Sequence, residues 1–399
     1  MLTRRDFVKH ASLISLAPTV PAFLAQTARG AAASPHDRIL VVIQLDGGND
    51  GLNTVVPYAD ENYARLRPKL AVPKKSVRRL NDAVGLHPSM GDAEKLFQDG
   101  RLAIVQGVGY PNPNKSHDVS KSIWHTARFD PAEHVGYGWI GRALDEAPTP
   151  NTGAPASVLV GTESVPVTLR GRKSVAAALA NLDDMVLGES SKPTGTVPSD
   201  DSLLAFARRS TVDAVVMAEH LREAAKPRPD EPTPPYGELP KRLALIARLI
   251  QSDFGARVYY AVQTGYDTHV YQRETHERLL RELSEGVRFF LDELKRSKLD
   301  DRVVVMTFSE FGRRADENAS EGTDHGTAAP LILAGTKLKS RLHGSPPNLA
   351  NLRGGDLVAT IDFRQVYQCL LDSWLRLPAP AALGGQFPSL DLFAFSGAR

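Results

Sequence analysis

Short apolar runs recur along the chain, separated by stretches of helical periodicity or by polar, proline-rich segments. The first, 39–45, is almost continuously apolar and stops at Asp46-Gly47-Gly48. Such a run suits a strand covered on both faces, as in a parallel sheet. The same pattern predicts strands over 102–108, 157–160, 257–262, 302–308 and 329–334. Apolar positions spaced by turns of 3.6 residues predict helices over 90–98, 240–252, 272–296 and 363–375. Strands alternating with helices define an α/β fold, a mainly parallel sheet sandwiched by helices. Two segments interrupt the alternation. Residues 190–202 are rich in Ser, Thr, Pro and Gly, and 226–240 hold six prolines. Both read as loops, with helical periodicity over 203–223 between them. Residues 150–240 are therefore expected to form an insertion beside the main sheet, shaping a cap. There is no internal repeat.

The N-terminus reads differently. Arg4-Arg5 precede Phe7 and Lys9, a modest apolar stretch covers 11–17, and small residues gather over 28–33. A charged start, an apolar middle and an A-x-A-like end describe an export signal, and the arginine pair marks the twin-arginine (Tat) type. Residues 1–33 are thus expected to be a Tat signal peptide and 34–399 one α/β domain working in the periplasm or outside the cell. The Tat translocase would be a partner during export. The apolar stretch is shorter than the roughly 20 residues needed to span a bilayer, and no later stretch in the mature chain is long and apolar enough. The signal carries Arg4, Arg5, Lys9 and Arg29 against Asp6, a net of +3. The whole chain is +2, which leaves about −1 for the rest. No basic stripe suggests a nucleic-acid partner. Cys369 is the one cysteine and sits in an apolar helical pattern, so an intrachain disulfide is excluded and an inert core thiol is expected.

Ligands of open α/β sheets bind beyond the carboxyl ends of the strands, so the residues after each run carry the most information. Asp46 follows the first run. Ser116 and His117 follow the second, Asp267-Thr268-His269 the fourth, and Glu310-Phe311-Gly312-Arg313 the fifth; Asp324-His325-Gly326 stands just before the sixth. Each motif alone has a plainer meaning: Asp before glycines also caps turns, and Asp267 also suits a helix N-cap. Arg313 suits either a solvated surface or bidentate anion binding. Together they collect carboxylates and imidazoles at one edge of a sheet, and such donors suit zinc, manganese or iron. Gly47-Gly48-Asn49-Asp50-Gly51 lacks the spacing of a phosphate-binding fingerprint.

In this order, Leu-Asp-Gly-Gly-Asn-Asp-Gly-Leu-Asn, Ser-His, Asp-Thr-His, Ser-Glu-Phe-Gly-Arg-Arg and Thr-Asp-His-Gly resemble the bacterial family catalogued as domain of unknown function 1501. That family resembles in turn the alkaline phosphatase and sulfatase superfamily. The resemblance implies an alkaline phosphatase-like fold holding one or two divalent cations (zinc, manganese or calcium). It implies metal ligands at Asp46, Asp267, His269, Glu310, Asp324 and His325. It places the catalytic groups at Ser116, as nucleophile, His117 and Arg313. Phe311 departs from the pattern, which has a histidine beside the acid at 310. The implied activity is metal-dependent hydrolysis of phosphate or sulfate esters, on a small-molecule or polysaccharide substrate. The alternative is a non-catalytic envelope binding or scaffold protein on the same fold.

Overall fold

The computed structural model describes residues 38–133, 136–147, 154–180, 221–339 and 341–395; statements of absence below refer to these. The expected Tat signal over 1–33 and most of the expected helix over 203–223 lie outside them. Among the described residues no helix is long and apolar enough to cross a membrane.

The central strand, β1, is Ile39–Asp46. Its residues alternate between two cores, as the two-residue period of a strand requires. Ile39, Val41, Ile43 and Leu45 face one core, and Leu40 and Val42 the other. Both sides are therefore covered, which explains the unbroken apolar run. Helices α1 (Gly91–Gln98), α4 (Glu238–Gln251) and α5 (Gln272–Arg296) contribute to the first core. The second takes α2 (His117–Thr126), α3 (Trp139–Asp145) and α6 (Phe363–Cys369). The expected helix over 363–375 is α6 continued as a π-helical turn, Leu370–Leu375.

A small antiparallel sheet of β2 (Val55–Val56), β3 (Arg78–Arg79) and β4 (Gly85–Leu86) lies apart from the main one. The main sheet joins to β1 the strands β5 (Leu102–Gly109), β6 (Ser157–Val160), β7 (Ala176–Leu179), β8 (Val258–Thr264), β9 (Val303–Phe308) and β10 (Ala329–Ala334), with the two-residue β11 (Leu342–His343) and β12 (Ile361–Asp362). Their order is β11-β5-β10-β9-β1-β8-β6-β7, with β12 also paired to β5. β1 pairs in parallel with β8 and β9. β10 alone runs antiparallel, to both β9 and β5. Residues 309–328, which join β9 to β10, contain no helix, and a parallel return needs a crossover. This reversal brings the start of β10 to the edge where β1, β5, β8 and β9 end. Within the stretch expected to lie beside the sheet, 150–240, β6 and β7 pair into the sheet itself, in parallel with β8 and with each other. That portion is sheet edge; residues 181–220 lie outside the described ones.

Candidate functional site

The site forms where the carboxyl ends of β1, β8 and β9, the start of β10 and the N-terminus of α2 meet. Two glycines permit the approach. Gly47 and Gly48 have φ of +118° and +86°. A Cβ on Gly47 would stand 2.4 Å from the Asp267 nitrogen, and one on Gly48 would stand 2.4 Å from the Phe311 ring. Only glycine lets the β1 turn close on both neighbours.

Asp267, just after β8, is the hub. Its Oδ1 lies 3.0 Å from His269 Nε2, 3.0 Å from His325 Nε2 and 2.7 Å from Arg313 Nη2. Its Oδ2 lies 3.5 Å from His117 Nε2. His269 Nε2 and His325 Nε2 are 3.0 Å apart. Burial works to raise the Asp267 carboxyl, but the hydrogen bond and charge of Arg313, with the imidazoles beside it, outweigh it and hold its pKa down to about 2.

The outer nitrogens fix where the ring protons sit. His325 Nδ1 meets the Lys115 carbonyl at 2.8 Å, and a carbonyl can only accept. His117 Nδ1 meets Glu310 Oε1 at 2.8 Å, an oxygen that also accepts the Gly47 N–H. His269 Nδ1 meets Asp324 Oδ1 at 3.1 Å. Hydrogen bonds from Asn318 and His269 hold the Asp324 carboxyl below its usual range, so it too accepts. Each ring therefore carries its proton on Nδ1 and turns an Nε2 lone pair inward. Arg313 Nη1, a donor in every state, approaches His269 Nε2 at 3.4 Å and agrees with this assignment.

Three acceptors, Asp267 Oδ1 and two Nε2 atoms, thus stand 3.0 Å from one another. Such a set calls for positive charge among its members, either extra protons on the rings or a cation. Ligand atoms of one zinc ion, bound at about 2.0–2.1 Å, are separated by roughly 3–3.5 Å. Imidazoles pinned through the other nitrogen by a carbonyl or carboxylate are the usual setting of metal ligands. The donor set therefore fits a divalent metal. His117, Asp267 and His325 likewise offer ligand atoms all within 4.8 Å of one another. Phe311 packs at 4.6 Å from the His325 ring and 5.0 Å from that of His117, holding both in place.

A model of the family described as "Protein of unknown function (DUF1501)" matches residues 37–364. The chain belongs to that family. No curated protein matches the sequence. Solved structures that the DUF1501 chain resembles include a protein in the alkaline phosphatase superfamily from Vibrio parahaemolyticus, at 10% identity over 92% of this chain and 77% of that one, TM-score 0.40. The PsFucS1 sulfatase from Pseudoalteromonas sp. is 11% identical over 97% and 74%, TM-score 0.41. The phosphonate monoester hydrolase of Agrobacterium radiobacter is 10% identical over 88% and 78%, TM-score 0.39. At these scores the likenesses carry no chemistry to this chain, whose site rests on its own residues.

The residues singled out in the sequence divide into three groups. Asp267, His269, His325 and His117 come together. Asp324 and Glu310 stand one step outside, each holding a ring by its Nδ1. Asp46 takes a different partner: its Oδ1 binds Lys121 Nζ at 2.6 Å and Gln44 Nε2 at 2.7 Å. Ser116 is exposed at the N-cap of α2 and its side chain makes no capping bond. Arg313, expected from the resemblance to meet substrate, is engaged mostly with the protein itself. Its guanidinium is buried and its N–H groups point at Gly48 O (2.7 Å), Thr323 O (2.8 Å), Tyr266 O (2.9 Å), Gly47 O and Asp267. One Nη1 N–H, 3.4 Å from His269 Nε2, is left without a carbonyl or carboxylate partner. Asn49 and Asp50 are also scaffold: Asn49 Oδ1 meets His276 Nε2 at 3.0 Å, and Asp50 pairs with buried Arg67 at 2.5 Å.

Lys121 is the residue that the motif reading missed. The available signal was helical spacing: His117, Lys121 and His125 stand at i, i+4 and i+8 of α2 and so share one face. That face meets the sheet edge. His125 reaches Gln44 Oε1 at 3.0 Å, and desolvation of its ring pushes its pKa down to about 4.

Proposed function

We propose that this chain is an exported, metal-dependent hydrolase of phosphate or sulfate esters, carried out through the Tat route. The observation that supports it is the convergence of two Nε2 lone pairs on Asp267 Oδ1, with each outer Nδ1 proton already committed. Asp267, His269 and His325 would hold the cation. When bound, it supplies Lewis-acid polarisation of the ester oxygens.

The remaining roles belong to the chain. Ser116 attacks the phosphorus or sulfur, forming the Ser116 O–P or O–S bond as the ester oxygen leaves with its alkyl or aryl group. His117 Nε2, turned inward by the Nδ1 bond to Glu310, takes the serine proton. The first-turn N–H groups of α2, without intrahelical partners, favour an anion at this position. Water then breaks the covalent intermediate. A cavity of about 490 Å³ shares Lys115 with the site and is lined by Tyr110, Asn112, Thr327, Arg353 and Asp356 as well. This mixed polar surface suits a hydroxyl-bearing small molecule or a sugar unit of a polysaccharide ester.

The test compares wild type with Asp267→Ala and His325→Ala, measuring bound zinc, manganese and calcium and turnover of an aryl phosphate and an aryl sulfate. Metal and turnover in the wild type, both absent from the variants, are expected. A wild type that takes up none of these ions would sink the reading. One observation favours the alternative, a non-catalytic envelope binding protein: Arg313 is held among carbonyls and keeps only one Nη1 N–H for a substrate anion, too few for a bidentate grip. Bound metal without turnover of either ester would decide for it.

A further inference from the structure

We propose that the Lys121 ammonium is the second cation of this centre, so that the site holds one divalent metal ion and not two; this rests on the metal-site reading above. Asp46 and Glu310 end adjacent parallel strands, with Gln44 of β1 level with Phe308 of β9 two residues earlier on each. Two carboxylates side by side repel unless a positive charge lies between them. Lys121 Nζ supplies that charge, 2.6 Å from Asp46 Oδ1 and 3.9 Å from Glu310 Oε1.

The balance of charge agrees. The continuous network of contacts contains four carboxylates, Asp46, Asp267, Glu310 and Asp324, and two fixed cations, Arg313 and Lys121. Two negative charges are left over, and one divalent ion neutralises them. A second divalent ion would need Lys121 to withdraw.

Ligand supply points the same way. Around Asp46 and Glu310 the chain offers few further donors. Gln44 Nε2 donates to Asp46, and Gln44 Oε1 is taken by His125 and Tyr260. The residue after Glu310 is Phe311, buried and packed on two rings. Glu310 Oε1 already accepts from Gly47 and His117. Lys121 therefore holds a place where a second ion could lean only on two carboxylates and water, and could enter only once the ammonium is gone. It stands one turn after His117 on a helix packed into the second core.

The experiment counts metal. Wild type, Lys121→Ala and Lys121→Gln are equilibrated with zinc or manganese, freed of excess ion and analysed for metal per chain, with circular dichroism to establish folding. The wild type should hold one equivalent and both variants two, a twofold rise. Lys121→Gln keeps much of the side-chain length if the alanine variant does not fold, and the wild-type count needs no variant. Two equivalents in the wild type, or one in a folded variant, overturn this inference and leave the metal-site reading standing. No metal in the wild type overturns both.

Discussion

Replacing Arg313 with alanine separates a structural arginine from a catalytic one. The side chain is 1% exposed and donates to the carbonyls of Gly47, Gly48, Tyr266 and Thr323 as well as to Asp267. A buried carbonyl left without a donor costs about 1–3 kcal/mol. Three lose theirs, since Tyr266 O keeps the Thr268 N–H at 2.8 Å; water entering the vacated space restores part, so a net destabilisation of about 4 kcal/mol is expected. Unfolding entropy of about 2.1 cal/mol/K per residue gives a chain of this size roughly 1.3 °C of Tm per kcal/mol. Tm should therefore fall by about 5 °C in a calorimetric or fluorescence melt of metal-free protein. The Arg313→Lys variant reaches one or two of these carbonyls and should recover less than half of the loss, because an ammonium lacks the planar fork. The reasoning fails if Arg313→Ala melts within about 1 °C of wild type, since three buried carbonyls cannot lose their donor for so little.

Three further outcomes are expected. Asp324→Ala removes the partner of His269 Nδ1 from an exposed position; metal affinity measured by chelator competition should drop about 10- to 100-fold with the fold intact. Unchanged affinity would show that Asp324 does not orient the ring. Asp50→Ala strands Arg67, both side chains being fully buried. It should cost about 3–5 kcal/mol in denaturant unfolding, yet leave metal content unchanged. Burial holds His125 and His276 down to a pKa of about 4 from 6.5. The unfolded chain then binds more protons between those values, so stability rises with pH across the window and is fully present above pH 6.5. Acidification to pH 4.5 should remove about 2–3 kcal/mol for each histidine. A denaturation midpoint that does not shift between pH 7 and 4.5 would contradict this, and His276→Gln should flatten the profile.

Much of this protein was legible without coordinates. Six of the strands follow from apolar runs, because burial on both faces removes polar residues from consecutive positions, a local property. Asp267, His269, Glu310 and His325 were legible as a group, because they occupy strand ends that any open α/β sheet brings to one edge. Short elements were not legible. β7 is four residues, three of them alanine, and β12 is two; such lengths give no period.

Pairings between side chains were decided only by the tertiary structure. His117 and Glu310 are 193 positions apart and Arg313 and Asp267 are 46 apart, and no local pattern records which partner each takes. The same fold gives Asp46 to Lys121, sends Arg313 inward among carbonyls and turns β10 antiparallel. The chain determines which chemical groups reach the edge of the sheet, through periodicity. Which of them face a common point, and with which proton on which nitrogen, depends on distances of 3.0 Å that only packing sets.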